Sequence, residues 1–399
     1  MTTSSLAEVA LVEVNHLDIQ MKLLEELVNI GSDTKVEIKG VNKAQDIVAR
    51  ELKRLKFKVE MIANPDPLVE SGKLLVATLP GKSDQFITLV THVDTVFPAL
   101  TGFVKFEKLS DQEARGPGII DNKGGVVVLI EALHQFLKEV PVPEYSLRVV
   151  VSPSEEVGST GFLNLYGEYS QNSVAVFGLE PALDDGDVVT ARRGDRWYEV
   201  TVKGREAHAG RAHDKGVNAC HELAVKIEKL QKLTDYKKEV SINIGAMRGG
   251  RDKFAIVCGE ATANLDVRFS DTKNRDIILK KVEAILNTQY LKAKSDGAKA
   301  STEFKIVDDP KPFAANAETK LLADFYVKII QQLEGKTIAA KRSGGTSDVN
   351  FFYRPGLTII DGLGPVGRGM HTHEETLQIR SLATRAQALA KLLQATNLQ

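Results

Sequence analysis

Cysteine is nearly absent: the 399 residues contain two, Cys220 and Cys258. Two thiols are too few for a disulfide framework or a thiolate zinc site, and their scarcity fits a reducing compartment. An excess of one charge sign is also missing. Lys and Arg total 52 against 53 Asp and Glu, so no global field draws the chain to nucleic acid or acidic lipid. No run approaches the roughly 20 consecutive apolar residues of a spanning helix. The opening MTTSSLAEVALVEVNHLDIQ breaks its apolar positions with Glu8 and Glu13 and has no basic stretch followed by an unbroken apolar one, which predicts a cytoplasmic protein away from the membrane. Internal repeats and low-complexity tracts are lacking too. What is there is an ordinary globular composition, 43% hydrophobic and 26% charged, in a chain long enough for two or three domains at roughly 150 residues each.

The first 60 residues read as helical, with Leu6 to Ile30 amphipathic and Ile47, Leu52 and Leu55 near one face of a second helix. Short aliphatic runs follow, KLLVATL at 73–79 and FITLV at 86–90, then an apolar helix from Lys123 to Val140, strand SLRVVV, a helix near Ser159–Tyr169 and strand VAVFGL. This alternation predicts an α/β domain with a central sheet between helices. From Trp197 the order becomes β-α-β-β-α-β: WYEVTVK, a helix, VSINIGAM, ATANLDVRF, a helix and TEFKIV. That is the split βαβ order, which folds as a four-stranded ferredoxin-like sheet covered on one face by two helices. Residues 195–308 therefore read as an inserted domain, and 1–194 with 309–399 as the domain it interrupts.

Acidic residues and histidines recur just past strand ends, the usual ligand position in open α/β sheets. FITLV runs into THVDTVFP, where His92 and Asp94 share a face at spacing two, suiting a metal ligand and a residue that orients it. Asp121, before the helix at Lys123, is by itself a helix cap, but Gly124 and Gly125 weaken the first turn and permit close approach. Glu155 and Glu156 follow SLRVVV. As an isolated pair they are solvated, whereas in a defined loop one can ligate a cation while the other moves a proton. Glu180 ends VAVFGL, and His371 and His373 lie in GMHTHEETL. Two imidazoles and several carboxylates without a cysteine form a donor set suited to zinc, with cobalt or manganese as substitutes, and the ligand count fits two ions that activate a water and polarise a carbonyl.

Taken in order, THVDTVFP, GPGIIDNKGG, SPSEEVGSTG, LEP, the inserted unit with AHAG, GGTSD and GMHT resemble the dinuclear zinc metallopeptidases of the glutamate carboxypeptidase, aminoacylase, acetylornithine deacetylase and peptidase T type, over residues 20–395. The resemblance implies two zinc ions per subunit, one on His92 and Glu180, the other on Glu156 and His371, with Asp121 bridging. It implies Glu155 as catalytic base, Asp94 behind His92, and His373 as a bystander. It further implies a homodimer formed through the inserted domain, with His208 reaching the partner's site, Arg268 binding the substrate's carboxylate, and Gly345 and Thr346 in a substrate-pocket loop. Ala255 and Cys258 depart from the Asn and Pro of many relatives, which bears on preference for a C-terminal glutamate.

The implied activity is hydrolysis of an amide bond that releases a C-terminal amino acid from a small peptide or N-acyl amino acid. The same chemistry serves an aminopeptidase of tripeptide type, or a deacylase or desuccinylase. A non-catalytic dimeric binding protein is the reading from another class, and the intact ligand set and base argue against it.

Overall fold

The structure, a computed structural model, describes residues 3–183 and 186–397, and residues 3–15 by backbone alone. The amphipathic pattern from Leu6 as far as residue 15, and the ends 1–2 and 398–399 of the expected catalytic domain, lie outside the described side chains. The chain runs α1 (Thr3–Val28), α2 (Ile38–Arg54), β1 (Lys58–Ile62), β2 (Leu74–Leu79), β3 (Ser83–His92), α3 (Lys123–Glu139), β4 (Tyr145–Ser152), α4 (Leu163–Gln171) and β5 (Ser173–Gly178). There follow β6 (Gly194–Lys203), α5 (Ala219–Gln231), β7 (Ser241–Gly249), β8 (Glu260–Phe269), α6 (Thr272–Asn287) and β9 (Ser301–Asp308). The chain then closes with α7 (Ala317–Glu334), β10 (Thr358–Ile360) and α8 (Ile379–Asn397).

Two compact units result: 1–191 with 314–343 and 347–399, and 192–313 with 344–346. The division expected at 195 and 308 differs from this chiefly in that Gly344–Thr346 go with the inserted segment. In the larger unit a six-stranded mixed sheet has the order β1-β2-β4-β3-β5-β10, with β4, β3, β5 and β10 parallel. The central strands β2, β4 and β5 are continuous apolar runs because both faces are covered there. Val126, Val127, Val128, Leu129, Leu133 and Phe136 of α3 are fully buried in this core; each such side chain contributes on the order of 1.5–3 kcal/mol relative to exposure. The helical reading of the first 60 residues is corrected at β1. KVEMI buries one side only, and pairing with β2 makes it a strand, a contact that local periodicity does not encode.

The smaller unit is a four-stranded antiparallel sheet, β7-β8-β6-β9, the ferredoxin-like order. Cys220 and Cys258, expected as too few for a disulfide framework, form a disulfide within it, with Cα atoms 5.7 Å apart. Cysteine scarcity thus no longer argues for a reducing compartment. Among the described residues no helix is long and apolar enough to cross a membrane.

Candidate active site and metal centre

Neighbouring strands stand about 4.8 Å apart, so residues leaving the carboxyl ends of β4, β3 and β5 converge. His92 ends β3, Glu155 and Glu156 lie in the short turn after β4, and Glu180 stands just after β5. Asp121 arrives from the turn before α3, across a cis Asp121–Asn122 peptide. A Cβ on Gly125 would sit 2.3 Å from the Leu179 carbonyl oxygen, so this glycine is what allows the start of α3 to press against the end of β5. His371 hangs from a hairpin whose arms, Gly367–Arg368 and Thr376–Gln378, pair with each other and, through the second arm, with Glu113–Arg115.

Asp121 faces two donor sets with one carboxylate oxygen each. His92 Nε2 is 3.1 Å from its Oδ1 and 3.5 Å from Glu180 Oε1. His371 Nε2 is 3.2 Å from its Oδ2 and 3.2 Å from Glu156 Oε2. Within each trio the donor atoms lie within 4.8 Å of one another. Glu156 Oε1 is buried and has no hydrogen-bond partner among the described residues, a costly condition for a carboxylate unless a cation faces it. Nitrogen and carboxylate donors without sulfur, and with an orphaned buried oxygen, fit divalent ions of the zinc type.

The field in the site follows from this crowding. Burial alone would push the His92 imidazole down, but Glu180, Asp121 and Asp94 outweigh it and hold its pKa well above the usual value. Burial, then Glu180, raises Glu155 well above the carboxylate range. Burial and Asp121 push Glu156 up to about 7. Hydrogen bonds to Asp121 and Glu156 carry His371 up to about 10. Asp121 moves down, because its bonds to His371 and His92 exceed the cost of its burial.

Asp94 does more than stand behind His92. Its carboxylate is 3.3 Å from His92 Nδ1, but the ring's hydrogen bond is to the Asp94 main-chain oxygen at 3.1 Å. A proton held there leaves Nε2 free to ligate. The carboxylate accepts the Thr34 hydroxyl at 2.6 Å and the backbone N–H groups of Glu155 and Glu156 at 3.1 Å each, so one side chain aligns both glutamates. Two residues that the sequence did not single out, Glu375 and Asn122, and the aspartate of GGTSD, Asp348, support the ligands. Glu375, fully buried, accepts the N–H groups of Gly118, Ile120 and Asp121 and holds the Asp121 turn. Asn122 donates to Glu180 Oε1 at 3.1 Å. Asp348 accepts the Ser159 hydroxyl at 2.6 Å, beneath the Glu155 turn. Asn122 stands in GPGIIDNKGG and Asp348 in GGTSD, both motifs of the resemblance, whereas Glu375 carried no signal of its own. His373 belongs to neither trio and stacks on Phe103 at 5.3 Å between ring centroids.

The inserted unit carries the remaining candidates. His208 is exposed, and its Nδ1 accepts the N–H groups of Gly210 and Arg211, which places the proton on Nε2 as an outward donor. The segment around Ala255 and Cys258 pairs beside it through Ala209 N–H to Ala255 O and Val257 N–H to Ala207 O. Arg268 shares the polar face of β8 with Asn264 and Asp266. Its Nε donates to Asp266 at 2.9 Å and its Nη1 to the Gly344 carbonyl at 3.2 Å. Gly345 O accepts from Arg192, and Thr346 donates to Asp195; burial pushes the Asp195 carboxyl up to about 7 although Arg268 opposes it.

A family model for peptidase family M20/M25/M40 matches residues 88–395, which takes in every member of both trios. The chain belongs to this family. Carboxypeptidase G2 of Pseudomonas sp. strain RS-16 is 29% identical over 378 residues, covering 94% of this chain and 88% of that protein. A tripeptidase from Staphylococcus aureus shares the fold with a TM-score of 0.74 at 22% identity, covering 96% of this chain and 99% of the other. An M20 family metallo-carboxypeptidase from Sulfolobus solfataricus also superposes with a TM-score of 0.74, at 14% identity, over 95% and 99% of the two chains. The family is one of metallopeptidases and amidohydrolases, and the protein is a metal-binding hydrolase of that kind.

Proposed function

We propose that the protein releases a C-terminal amino acid from small peptides or N-acyl amino acids, using two zinc ions per subunit for which cobalt or manganese can substitute. The observation that carries this reading is Asp121, which turns one carboxylate oxygen toward each of two donor trios. In this reading His92 and Glu180 hold one ion, Glu156 and His371 the other, and Asp121 both. Bound there, the ions supply Lewis-acid polarisation of the amide carbonyl and lower the pKa of a water. Glu155 takes a proton from the water as it adds to the carbonyl carbon, then delivers it to the amide nitrogen as the C–N bond breaks. Asp94 keeps His92 in the ligating tautomer and the Glu155 turn in place.

Arg268 anchors the substrate's free carboxylate, with Gly345 and Thr346 shaping that pocket. The likeness to carboxypeptidase G2 along nearly the whole chain supports release at this end. The inserted unit pairs two copies, and His208 offers its Nε2 proton to the oxyanion in the partner's site. A second reading, cleavage from a free amino end, draws on Asp195 and Asp266 flanking Arg268, since two carboxylates suit an ammonium.

One panel separates the two readings: N-acyl amino acids and dipeptides with blocked amine, against the same compounds with blocked carboxylate. Cleavage that requires the free carboxylate, and that Arg268→Ala weakens mainly through KM, supports the first; cleavage that requires the free amine replaces it with the second. Mixing Glu155→Gln with His208→Ala protein tests the dimer, because recovered activity requires His208 to act across subunits.

A further inference from the structure

A second cluster of donors, outside both trios, joins the first helix to the buried helix of the core. Glu131 and His134 lie three residues apart on α3, so they share a helix face, and His16 reaches them from α1. His16 Nδ1 is 3.0 Å from Glu131 Oε1, and His134 Nδ1 is 3.8 Å from Oε2. All three donor atoms fall within 4.8 Å of one another. A tetrahedral ion with bonds of about 2.0–2.2 Å spaces its donors by roughly 3.4 Å, close to what is found.

Two observations separate this cluster from an ordinary surface pair. The Glu131 side chain is 7% exposed, yet among the described residues no lysine or arginine pairs with it, and Gln135 supplies one hydrogen bond at 2.8 Å. A buried carboxylate without a cation is costly. His16 Nδ1 is likewise buried and makes no hydrogen bond among the described residues, so its 3.0 Å approach to the carboxylate lacks hydrogen-bond geometry. His134, by contrast, is 52% exposed, which leaves a path for entry and room for water as a fourth ligand.

We propose that His16, Glu131 and His134 form a separate binding site for a divalent transition-metal ion that fastens α1 to α3. Two imidazoles and one carboxylate select zinc, nickel or copper over magnesium or calcium. The site takes no part in hydrolysis and stands independently of the substrate reading above.

The test is a Zn2+ titration of chelator-stripped full-length protein against a chromophoric chelator, run in parallel on wild type, His134→Gln and His16→Gln. The expected result is one fewer high-affinity equivalent in each variant, with kcat/KM of the zinc-loaded enzyme within twofold of wild type. Equal equivalents in all three proteins overturn the site. So does an equivalent lost together with activity, because the missing ion would then belong to the catalytic centre. A thermal melt provides a second readout should His16→Gln loosen α1: wild type gains melting temperature on the last zinc equivalent, and His134→Gln, altered at an exposed position, does not.

Discussion

The His92 imidazole is 1% exposed at the end of a central strand, whereas His371, on a hairpin tip, is 54% exposed, yet both contact the same aspartate. His92 and Glu180 are set by adjacent parallel strands inside the core, so their separation is a property of the sheet. The backbone at His371 has φ +62°, an uncommon conformation for a residue other than glycine, and its position depends on the hairpin pairing, which Glu375 ties to the Asp121 turn. One half of the centre therefore takes both its own ligands from the sheet, whereas the other pairs the buried Glu156 with His371 from a hairpin open to solvent. A set of donors that are all buried gives a slowly exchanging site, and one exposed ligand, His371, opens the other to solvent. A chelator should accordingly remove the ion at Glu156 and His371 first.

The largest expected effect is at Glu155, next to the ligand Glu156 in the turn after β4. Glu155→Gln should lower kcat by about 10² to 10⁴, the scale of acid–base catalysis, while bound metal and melting temperature stay at wild-type values. A matching loss of metal would make Glu155 a ligand and dissolve the division of roles with Glu156. Next comes Glu375→Gln, which weakens the three-amide clamp on the Asp121 turn. Metal affinity should fall by roughly 10- to 100-fold, as for other outer partners of ligands, with kcat/KM restored at high zinc. Insensitivity of metal binding to this change would show that the hairpin does not govern the outer half.

The metal-free protein offers a test by pH. Glu156, Glu375 and His371 rise from 4.5, 4.5 and 6.5 to about 7, 8 and 10. In each case the folded state binds more protons than the unfolded chain between the two values, so stability falls as pH rises. The apo-protein should lose on the order of 5 °C in melting temperature from about pH 5 to pH 9, whereas the metal-loaded protein, whose ligands must be deprotonated to bind, should not. Parallel melting curves for the two forms across that range would contradict the crowded carboxylate site. The smallest effect is expected at the neighbouring imidazole. His373→Ala should cost about 0.5–1.5 kcal/mol of stability through lost ring stacking and leave kcat/KM within twofold; a hundredfold loss would mean that His373, not His371, belongs to the outer half.

Where local pattern sufficed, the sequence was readable. FITLV, SLRVVV and VAVFGL are β-branched and aliphatic runs with clear stops, so the strands, and the acidic residues and histidine just past them, stand out along the chain. The β-α-β-β-α-β order of the inserted segment was legible for the same reason. Glu375 was not legible, because it acts on amides more than 250 residues earlier in the chain, and nothing in HEET distinguishes a buried acceptor from a solvated acid. Cys220 and Cys258, 38 residues apart, looked like two isolated thiols until the sheet brought them together. His16 and His134 looked unremarkable for the same reason.

The sequence by itself determined the α/β class, the inserted sheet, the family and the supply of nitrogen and oxygen donors at strand ends, since these depend on residue type and on spacing within a few positions. Only the tertiary structure decided that Asp121 would face two donor sets, that the Asp94 carboxylate would hold the glutamate turn while its main chain oriented His92, and that His16 would meet Glu131. Those outcomes rest on which distant segments pack together, and packing is fixed by the whole core, not by any stretch of it.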